Sequence, residues 1–289
     1  MDAPRIAVVI PCYNDGRLVV SAVESVQETE PVELVVVSDG TTDGETLAAL
    51  DELEARGVQV LRQENAGLGP ARMAGVAATA AGFVFPLDAD DMLLPGALAE
   101  LADLLAASPR AGFAWGDFVV VGDDDRPVKH VETARTFDRW LITYKDPIPA
   151  SILFRREALL EVGGWDLRVH EEWDVMLKFA ASRWDGVKLA KPVYLKRVQY
   201  RRLSGAANDV RPEYYRLLRA RHAGLFARRR ELARSSHATF VERLTLPVIE
   251  RLYSRKPTPP ERLLREFRWY RRSHRGSSAA ALVSFLRGR

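Results

Sequence analysis

The sequence predicts an α/β protein with a doubly wound, mostly parallel sheet, flanked by helices and followed by a C-terminal helical extension. From residue 5 to residue 121, short apolar runs alternate with helical stretches, which is typical of parallel strands joined by helical crossovers. Several of these runs end in polar or acidic clusters, as strands do at the ligand-binding edge of such a sheet. Residues 211–289 differ in charge, which indicates a separate extension.

The composition is that of a globular protein. The chain has 289 residues, of which 47% are hydrophobic and 28% are charged. A single cysteine, Cys12, excludes an internal disulfide and a cysteine-rich zinc site. The sequence shows no signal peptide and no run of about 18 apolar residues, so we expect a cytoplasmic protein.

Charge divides the sequence near residue 210. Residues 211–289 contain 19 Arg and one Lys against six Glu, a net charge of +14, which leaves residues 1–210 with a net charge of −11. This asymmetry indicates two parts with different partners. We therefore predict a domain over residues 1–210 and a basic, Arg-rich helical extension over residues 211–289.

The first three strands are predicted at residues 5–11, 33–37 and 58–61, each followed by a helix. Proline ends the first strand, and turn residues follow it. A dinucleotide-binding site would need a Gly-x-Gly-x-x-Gly sequence there, and the chain does not have one. Later elements are a helix at 95–107 and strands at 112–121 and 150–154.

Three carboxylates follow the fourth predicted strand, which begins at Phe83. Asp88, Asp90 and Asp91 lie within four residues of one another. Hard oxygen ligands at this spacing suit Mg²⁺ or Mn²⁺. The alternative is a solvated acidic turn that caps the helix opened by Pro95, and the residues alone leave both interpretations open.

A second acidic group begins a later helix. Glu171, Glu172 and Asp174 lie at its start, where the helix dipole favours carboxylates. Capping accounts for one of these acids but less well for the cluster. A zinc-protease His-Glu-x-x-His motif is excluded because Asp174 stands where the second histidine belongs.

A glycine-containing loop at residues 65–70 leads into a helix of small residues that carries Arg72 in its predicted first turn. A cation at that position opposes the helix dipole. Its placement therefore indicates an anionic or base-edge partner.

Taken together, these segments resemble glycosyltransferase family 2, enzymes of the GT-A fold that transfer a sugar with inversion from a nucleoside diphosphate donor. The resemblance covers about residues 5–203 and rests on six segments in the family's order. They are residues 8–14, 38–43, 65–72, 87–91, 163–166 and 171–174.

The resemblance implies how the nucleotide is bound. Asp39 is similar to the acid that hydrogen-bonds the nucleobase, with Pro11 and Tyr13 lining the same pocket. Arg72 matches an arginine near the base or the phosphates, and Asp88 matches the acid near the ribose. The expected donor is a UDP-, GDP- or dTDP-sugar.

The resemblance also implies the catalytic and metal-binding residues. Asp88 and Asp90 match the Asp-x-Asp pair that holds Mn²⁺ or Mg²⁺, with Asp90 on the metal. Glu172 stands where the family usually has the aspartate that acts as general base, and Glu171 could serve instead. A further group is assigned to the sugar or the acceptor: Gly164, Trp165 and Asp174.

Some residues depart from the family's pattern. Ser38 replaces an acid, Met73 stands where asparagine is common, and Leu203 stands where many relatives have a metal-proximal histidine. We accordingly expect the metal to be held loosely, mainly through the diphosphate. The Gln-x-x-Arg-Trp motif of processive synthases is absent, so we expect one sugar to be added per encounter.

The basic extension contains a proline-rich break at residues 257–260, followed by a segment with one apolar and one arginine-rich face. Such a helix can lie on an anionic membrane, where many glycosyltransferases find lipid-linked acceptors. The alternative is a solvated arginine face over a helix packed on the domain. Nucleic acid is not expected, because no recognised binding motif accompanies the charge.

The expected function is inverting, non-processive transfer of a hexose to a glycan or lipid-linked acceptor, in the synthesis of cell-envelope or exopolysaccharide-type glycans. The enzyme would be free in the cytoplasm or peripheral on the inner face of the plasma membrane. Two alternatives are weighed. One is a catalytically inactive sugar-nucleotide-binding or scaffold protein. The other is a nucleotidyltransferase that forms sugar nucleotides, which would need a glycine-rich basic loop after the first strand.

Overall fold

A computed structural model describes residues 3–122, 124–167, 171–197 and 212–252 of the chain. The chain forms two compact units, one from Met1–Phe137 with Pro147–Ala206 and the other from Asp138–Asp146 with Ala207–Arg289. The boundary predicted at residue 210 lies outside the described residues. Residues 138–146 also belong to the second unit, although no change in composition or charge marks them in the sequence.

The N-terminal part of the sheet in the first unit is parallel, in the order β3-β2-β1-β4. Its strands are β1 (Ile6–Cys12), β2 (Val32–Asp39), β3 (Gln59–Gln63) and β4 (Phe83–Pro86). Its connecting helices are α1 (Leu18–Glu24), α2 (Gly44–Ala55) and α3 (Leu68–Ala77). The strand–helix alternation predicted from the sequence is confirmed here.

The remainder of the sheet is mixed. Its strands are β5 (Met92–Leu93), β6 (Ala111–Val121), β7 (Pro127–Val131), β8 (Leu153–Arg155) and β9 (Asp185–Arg197). β8 is antiparallel to β4 and β6, β7 to β6, and β5 to β9, whereas β6 and β9 are parallel. The parallel order of the N-terminal strands ends after β4 because its next neighbour, β8, is antiparallel to it. A short connection cannot join parallel strands, so the β6–β7 hairpin is antiparallel as well.

Helices α4 (Ala97–Ala106), α6 (Arg156–Glu161) and α7 (Glu171–Ala181) complete the first unit. All seven residues of β1 are buried, which makes this strand the centre of the core. Helix α3 lies unusually close to β1, because a Cβ on Gly75 would come within 2.2 Å of Cγ1 of Val9. The small residues of α3 therefore let the helix, and the arginine it carries, approach the sheet.

The second unit is helical in its described part, as the sequence predicts for the extension. Its helices are α5 (Arg139–Ile142), α8 (Pro212–Arg221), α9 (Ala223–Ala227), α10 (Arg229–Ser235) and α11 (Phe240–Leu252). The Arg229 guanidinium lies 3.9 Å from the ring centre of Tyr144 and 4.4 Å from that of Phe226, and it donates to Oγ1 of Thr143. Stacking on aromatic faces stabilises this largely buried arginine and joins α10 to residues 138–146.

The amphipathic segment predicted after residue 260 lies outside the described residues. Among the helices that the structure does describe, none is both long enough and apolar enough to cross a bilayer.

Candidate active site

Four of the five predicted nucleotide-binding residues line one cavity, and Arg72 is not among the residues that line it. Strands β2 and β4 flank β1 on opposite sides, so the strand order reverses at β1, and ligands of open α/β sheets bind at the carboxyl ends of such strands. A cavity of about 350 Å³ opens there. Its lining includes Pro11, Tyr13, Asp39, Asp88 and Asp90. Five predicted site residues from three separate segments of the sequence therefore line one cavity.

Asp39 is held rigidly at the end of β2. Its Oδ1 accepts hydrogen bonds from Gln63 Nε2 (2.7 Å) and Ala66 N (2.8 Å), and its Oδ2 accepts one from Gly67 N (2.8 Å). Gly67 has φ of +95°, a conformation that glycine adopts without strain. A carboxylate oxygen has two lone pairs, so Oδ2 can accept a further donor from the cavity.

Arg72 joins the two acidic groups. It lies in the second turn of α3, is only 1% exposed, and donates to Asp88 Oδ1 (2.8 Å), Glu171 Oε1 (3.1 Å) and Glu172 Oε1 (3.3 Å). The Trp165 ring centre lies 5.6 Å from its guanidinium. The anionic partners predicted for Arg72 are therefore carboxylates of the same chain. A contact between Arg72 and nucleotide stays a prediction.

The two glutamates at the start of α7 differ in environment. Glu171 is 2% exposed, and burial together with the neighbouring charge of Glu172 raises its pKa to about 8, although Arg72 acts in the opposite direction. The side chain of Glu172 is 32% exposed. At neutral pH, Glu171 therefore tends to hold a proton, while Glu172 is the acid open to an incoming group.

The carboxylates of Asp88, Asp90 and Asp91 fit a divalent cation. Each offers an oxygen, and these oxygens lie within 4.8 Å of one another. Oδ2 of Asp91 is buried and has no hydrogen-bond partner among the described residues. A bound cation would give this oxygen the partner that buried polar atoms normally have. Three hard oxygen donors suit Mg²⁺ or Mn²⁺.

The alternative interpretation of these acids as a solvated cap is not supported. Helix α4 begins after Gly96, which has φ of +70°, and its first-turn N–H groups of Leu98 and Ala99 donate to the carboxylate of Glu28 instead of to these aspartates. Asp91 is 1% exposed and is therefore not solvated.

The three carboxyls differ in the direction in which their pKa is shifted, because burial and the neighbouring charges act differently on each. Burial alone would raise the pKa of Asp88, but Arg72 and Lys196 hold it below its usual range. Burial and the charge of Asp88 raise the pKa of Asp90. Burial, opposed by Lys196 and reinforced by the neighbouring acids, raises the pKa of Asp91 to about 7. A bound cation would favour the ionised form of all three.

The residues assigned to sugar or acceptor lie in the interior. A Cβ on Gly164 would come within 2.4 Å of Sδ of Met73, and Asp174 is 1% exposed and paired with Lys178 (3.1 Å). Trp165 is 3% exposed and packs edge-to-face on Phe154. Burial gives the Trp165 ring a packing role instead of a free face for a sugar. For Gly164 and Asp174, the assignment stays a prediction.

Two basic residues at the end of β9, which no motif in the sequence marks, also belong to the site: Lys196 and Arg197. The pairing of Met92 with Leu195 brings them beside the acidic cluster. Arg197 N donates to Asp91 Oδ1 (2.9 Å), and Lys196 Nζ lies 3.6 Å from Asp91 Oδ2. No local signal could reveal these contacts, since more than 100 residues separate the partners along the chain.

Known proteins share this sequence pattern and this fold. The family model described as Glycosyl transferase family 2 matches residues 7–163. An uncharacterized glycosyltransferase of Mycobacterium tuberculosis strain H37Rv is 31% identical over 198 residues, 65% of this chain and 85% of that protein. The succinoglycan biosynthesis protein ExoO of Rhizobium meliloti is 31% identical over 158 residues, 53% of this chain and 44% of that protein.

Among solved structures, residues 1–349 of S. aureus TarS in complex with UDP-GlcNAc are similar to this chain with a TM-score of 0.60. The identity is 18%, and the match covers 86% of this chain and 73% of that one. This likeness concerns the fold, which is of the GT-A type.

The environment of Glu171 predicts a pH-dependent stability. Its pKa is about 8 in the folded protein and about 4.3 in an unfolded chain. At a pH between these two values, Glu171 holds a proton in the folded state that it has released in the unfolded state. The contribution of Glu171 to the free energy of unfolding therefore falls as the pH rises. Glu171→Gln removes this contribution.

Urea unfolding of wild type and Glu171→Gln at pH 5, 6, 7 and 8 measures the effect. We expect wild type to lose stability relative to the variant with rising pH, by at most about 1.4 kcal/mol per pH unit. A difference between the two proteins that stays constant over this range would show that Glu171 titrates normally.

Proposed function

Because the chain belongs to glycosyltransferase family 2, we propose that it transfers a hexose, with inversion and one sugar at a time, from a nucleoside diphosphate donor to a hydroxyl of a glycan or lipid-linked acceptor. One observation carries the proposal. Arg72 holds Asp88, which lines the cavity, and the two acids that could act as base in a single ion network. This network supports a site in which donor binding and acceptor activation occur side by side.

The donor is proposed to bind in the cavity at the end of β1. Asp39, already fixed by the loop at residues 65–67, would accept a hydrogen bond from the nucleobase. Pro11 and Tyr13 line the same cavity, and the Tyr13 side chain is 49% exposed, so its ring can cover the base. TarS was solved with UDP-GlcNAc, which makes UDP-sugars the first donors to test.

Asp88, Asp90 and Asp91 would hold the divalent cation. When bound, Mn²⁺ or Mg²⁺ supplies positive charge that neutralises the leaving diphosphate. Ser38 and Met73 depart from the family's pattern, and Leu203 lies outside the described residues. Contacts of the metal with the diphosphate would therefore supplement the carboxylates.

Glu172 is proposed as the general base. Its carboxylate would take the proton of the acceptor hydroxyl as that oxygen bonds to the anomeric carbon and the bond from that carbon to the diphosphate oxygen breaks. Glu171, which tends to be protonated and is buried against Arg72, would position Glu172 and Arg72. No covalent intermediate with the protein is required for inversion.

The relatives support a proposal for the biological setting. ExoO is named for succinoglycan biosynthesis, which favours a role of this chain in exopolysaccharide or cell-envelope glycan synthesis. A catalytically inactive sugar-nucleotide-binding protein is the competing candidate, motivated by the substitutions at positions 38, 73 and 203. The assembled acids and their arginine favour the active enzyme.

Donor hydrolysis tests the proposal. We expect slow, metal-dependent release of nucleoside diphosphate from one member of a panel of UDP-, GDP- and dTDP-sugars with Mn²⁺ or Mg²⁺. Asp90→Ala should abolish it, whereas Asp51→Ala, a change of an exposed carboxylate on α2, should not. Folded protein that neither binds nor hydrolyses any donor would favour the scaffold alternative.

Replacing each glutamate by its amide identifies the base. With a glycan acceptor, Glu172→Gln should lower the transfer rate by ~10²–10⁴ while donor binding persists. Glu171→Gln should cost less than ~10-fold near pH 7, because an amide resembles the protonated carboxyl. A larger loss for Glu171→Gln than for Glu172→Gln would reverse the assignment.

An anionic membrane surface is the proposed partner of the second unit, which would place the enzyme at the inner face of the plasma membrane. Helix α11 supports this proposal. Four large apolar side chains on one side of it are exposed: Phe240 (79%), Val241 (44%), Leu244 (58%) and Val248 (40%). A helix with such a stripe, in a region of net charge +14, suits a surface with apolar depth and negative charge.

Vesicle sedimentation at low salt tests this surface. Wild type should bind vesicles that contain phosphatidylglycerol and should not bind pure phosphatidylcholine. The double variant Phe240→Ser/Leu244→Ser should bind at least ~10-fold more weakly, since each side chain loses apolar burial. Leu160→Ser, at an exposed leucine of the first unit, is the matched control and should bind as wild type. Equal binding by all three proteins would exclude α11 as the contact.

A further inference from the structure

Lys196 lies against the carboxylate cluster, although the chemistry proposed above gives it no role. It is the penultimate residue of β9. Its Nζ is 3.6 Å from Oδ2 of Asp91, the buried oxygen that has no hydrogen-bond partner among the described residues. The Lys196 side chain is 37% exposed, so it stands at the border between the cluster and solvent.

The ammonium interacts with the whole cluster. Burial alone would lower the pKa of Lys196, but Asp91, Asp88 and Asp90 are among the groups that raise it, and the side chain stays positively charged. Lys196 in turn acts on the pKa of each of the three carboxyls. One positive charge, the Lys196 ammonium, therefore already lies beside the cluster, and the pairing of β9 with β5 holds it there.

We propose that Lys196 is a resident countercharge that makes binding of a divalent cation depend on the nucleoside diphosphate, an inference that rests on the metal site proposed above. A cation held by the cluster must share the Asp91 carboxylate with the ammonium. Like charges so close together repel strongly in a partly buried site. In the nucleotide-free protein, this repulsion weakens cation binding.

The diphosphate supplies the missing negative charge. Its arrival at the same site offsets the repulsion between the two cations, so that metal and nucleotide bind together. By linkage, the factor by which nucleotide raises the affinity for the metal equals the factor by which the metal raises the affinity for nucleotide. Lys196 would thus couple the two ligands without taking part in bond breaking.

The test measures Mn²⁺ binding by the full chain at pH 8, with and without UDP, and with GDP in parallel. Calorimetry or the Mn²⁺ electron paramagnetic resonance signal reports it without any need for activity. We expect Lys196→Met to bind Mn²⁺ about 10- to 100-fold more tightly than wild type in the absence of nucleotide. Nucleotide should then improve its Mn²⁺ affinity less than it improves that of wild type.

Two further variants keep the interpretation clear. Lys196→Arg retains the charge and should behave as wild type. Lys196→Gln is a second neutral replacement, which gives the same comparison if methionine disturbs the fold. Thermal unfolding of each variant checks that it is folded.

The outcomes separate this inference from the proposed function. Equal Mn²⁺ affinity of wild type and both neutral variants, with binding abolished by Asp90→Ala, would overturn the role of Lys196 and leave the metal site intact. No Mn²⁺ binding by any protein, with or without nucleotide, would overturn the inference and the proposed metal site together.

Discussion

The ion network around Arg72 is the interaction on which the site depends. A guanidinium that is 1% exposed has lost its hydration, and only several well-placed carboxylates can offset that cost. Asp88 follows β4, and Glu171 and Glu172 open α7, so a single side chain of α3 ties together three elements. Loss of the arginine would leave buried negative charge uncompensated. The network therefore determines both the positions of these acids and their protonation states.

The packing beneath that network places Arg72 within reach of all three acids. Helix α3 can approach β1 closely because Gly75 faces Val9 without a side chain. On the other side, Gly164 leaves room for Met73 of α3, and Trp165 lies over the guanidinium. Small residues on these surfaces thus serve the chemistry indirectly, since a helix held farther away could not place its arginine between the two acidic groups.

Sequence reasoning found most of the individual parts. Strand–helix alternation predicted the parallel strands β1 to β4, and the acids after β4 and at the start of α7 were visible as clusters. It did not predict the antiparallel pairing of β8 with β4 and β6, because a three-residue strand carries little periodic signal. Nor did it distinguish Glu171 from Glu172, since adjacent acids look alike until their burial is known.

By itself, the sequence determined the residue types and their local order: the apolar strands, the polar strand ends, the two carboxylate clusters and the basic extension. These features depend on neighbours within a few residues, which periodicity and turn chemistry can report. The tertiary structure alone decided that Arg72 spans both clusters, that Trp165 is buried, and that Lys196 stands beside Asp91. Such contacts join residues that are far apart in the chain, and their geometry follows from strand pairing and helix packing, which no local pattern specifies.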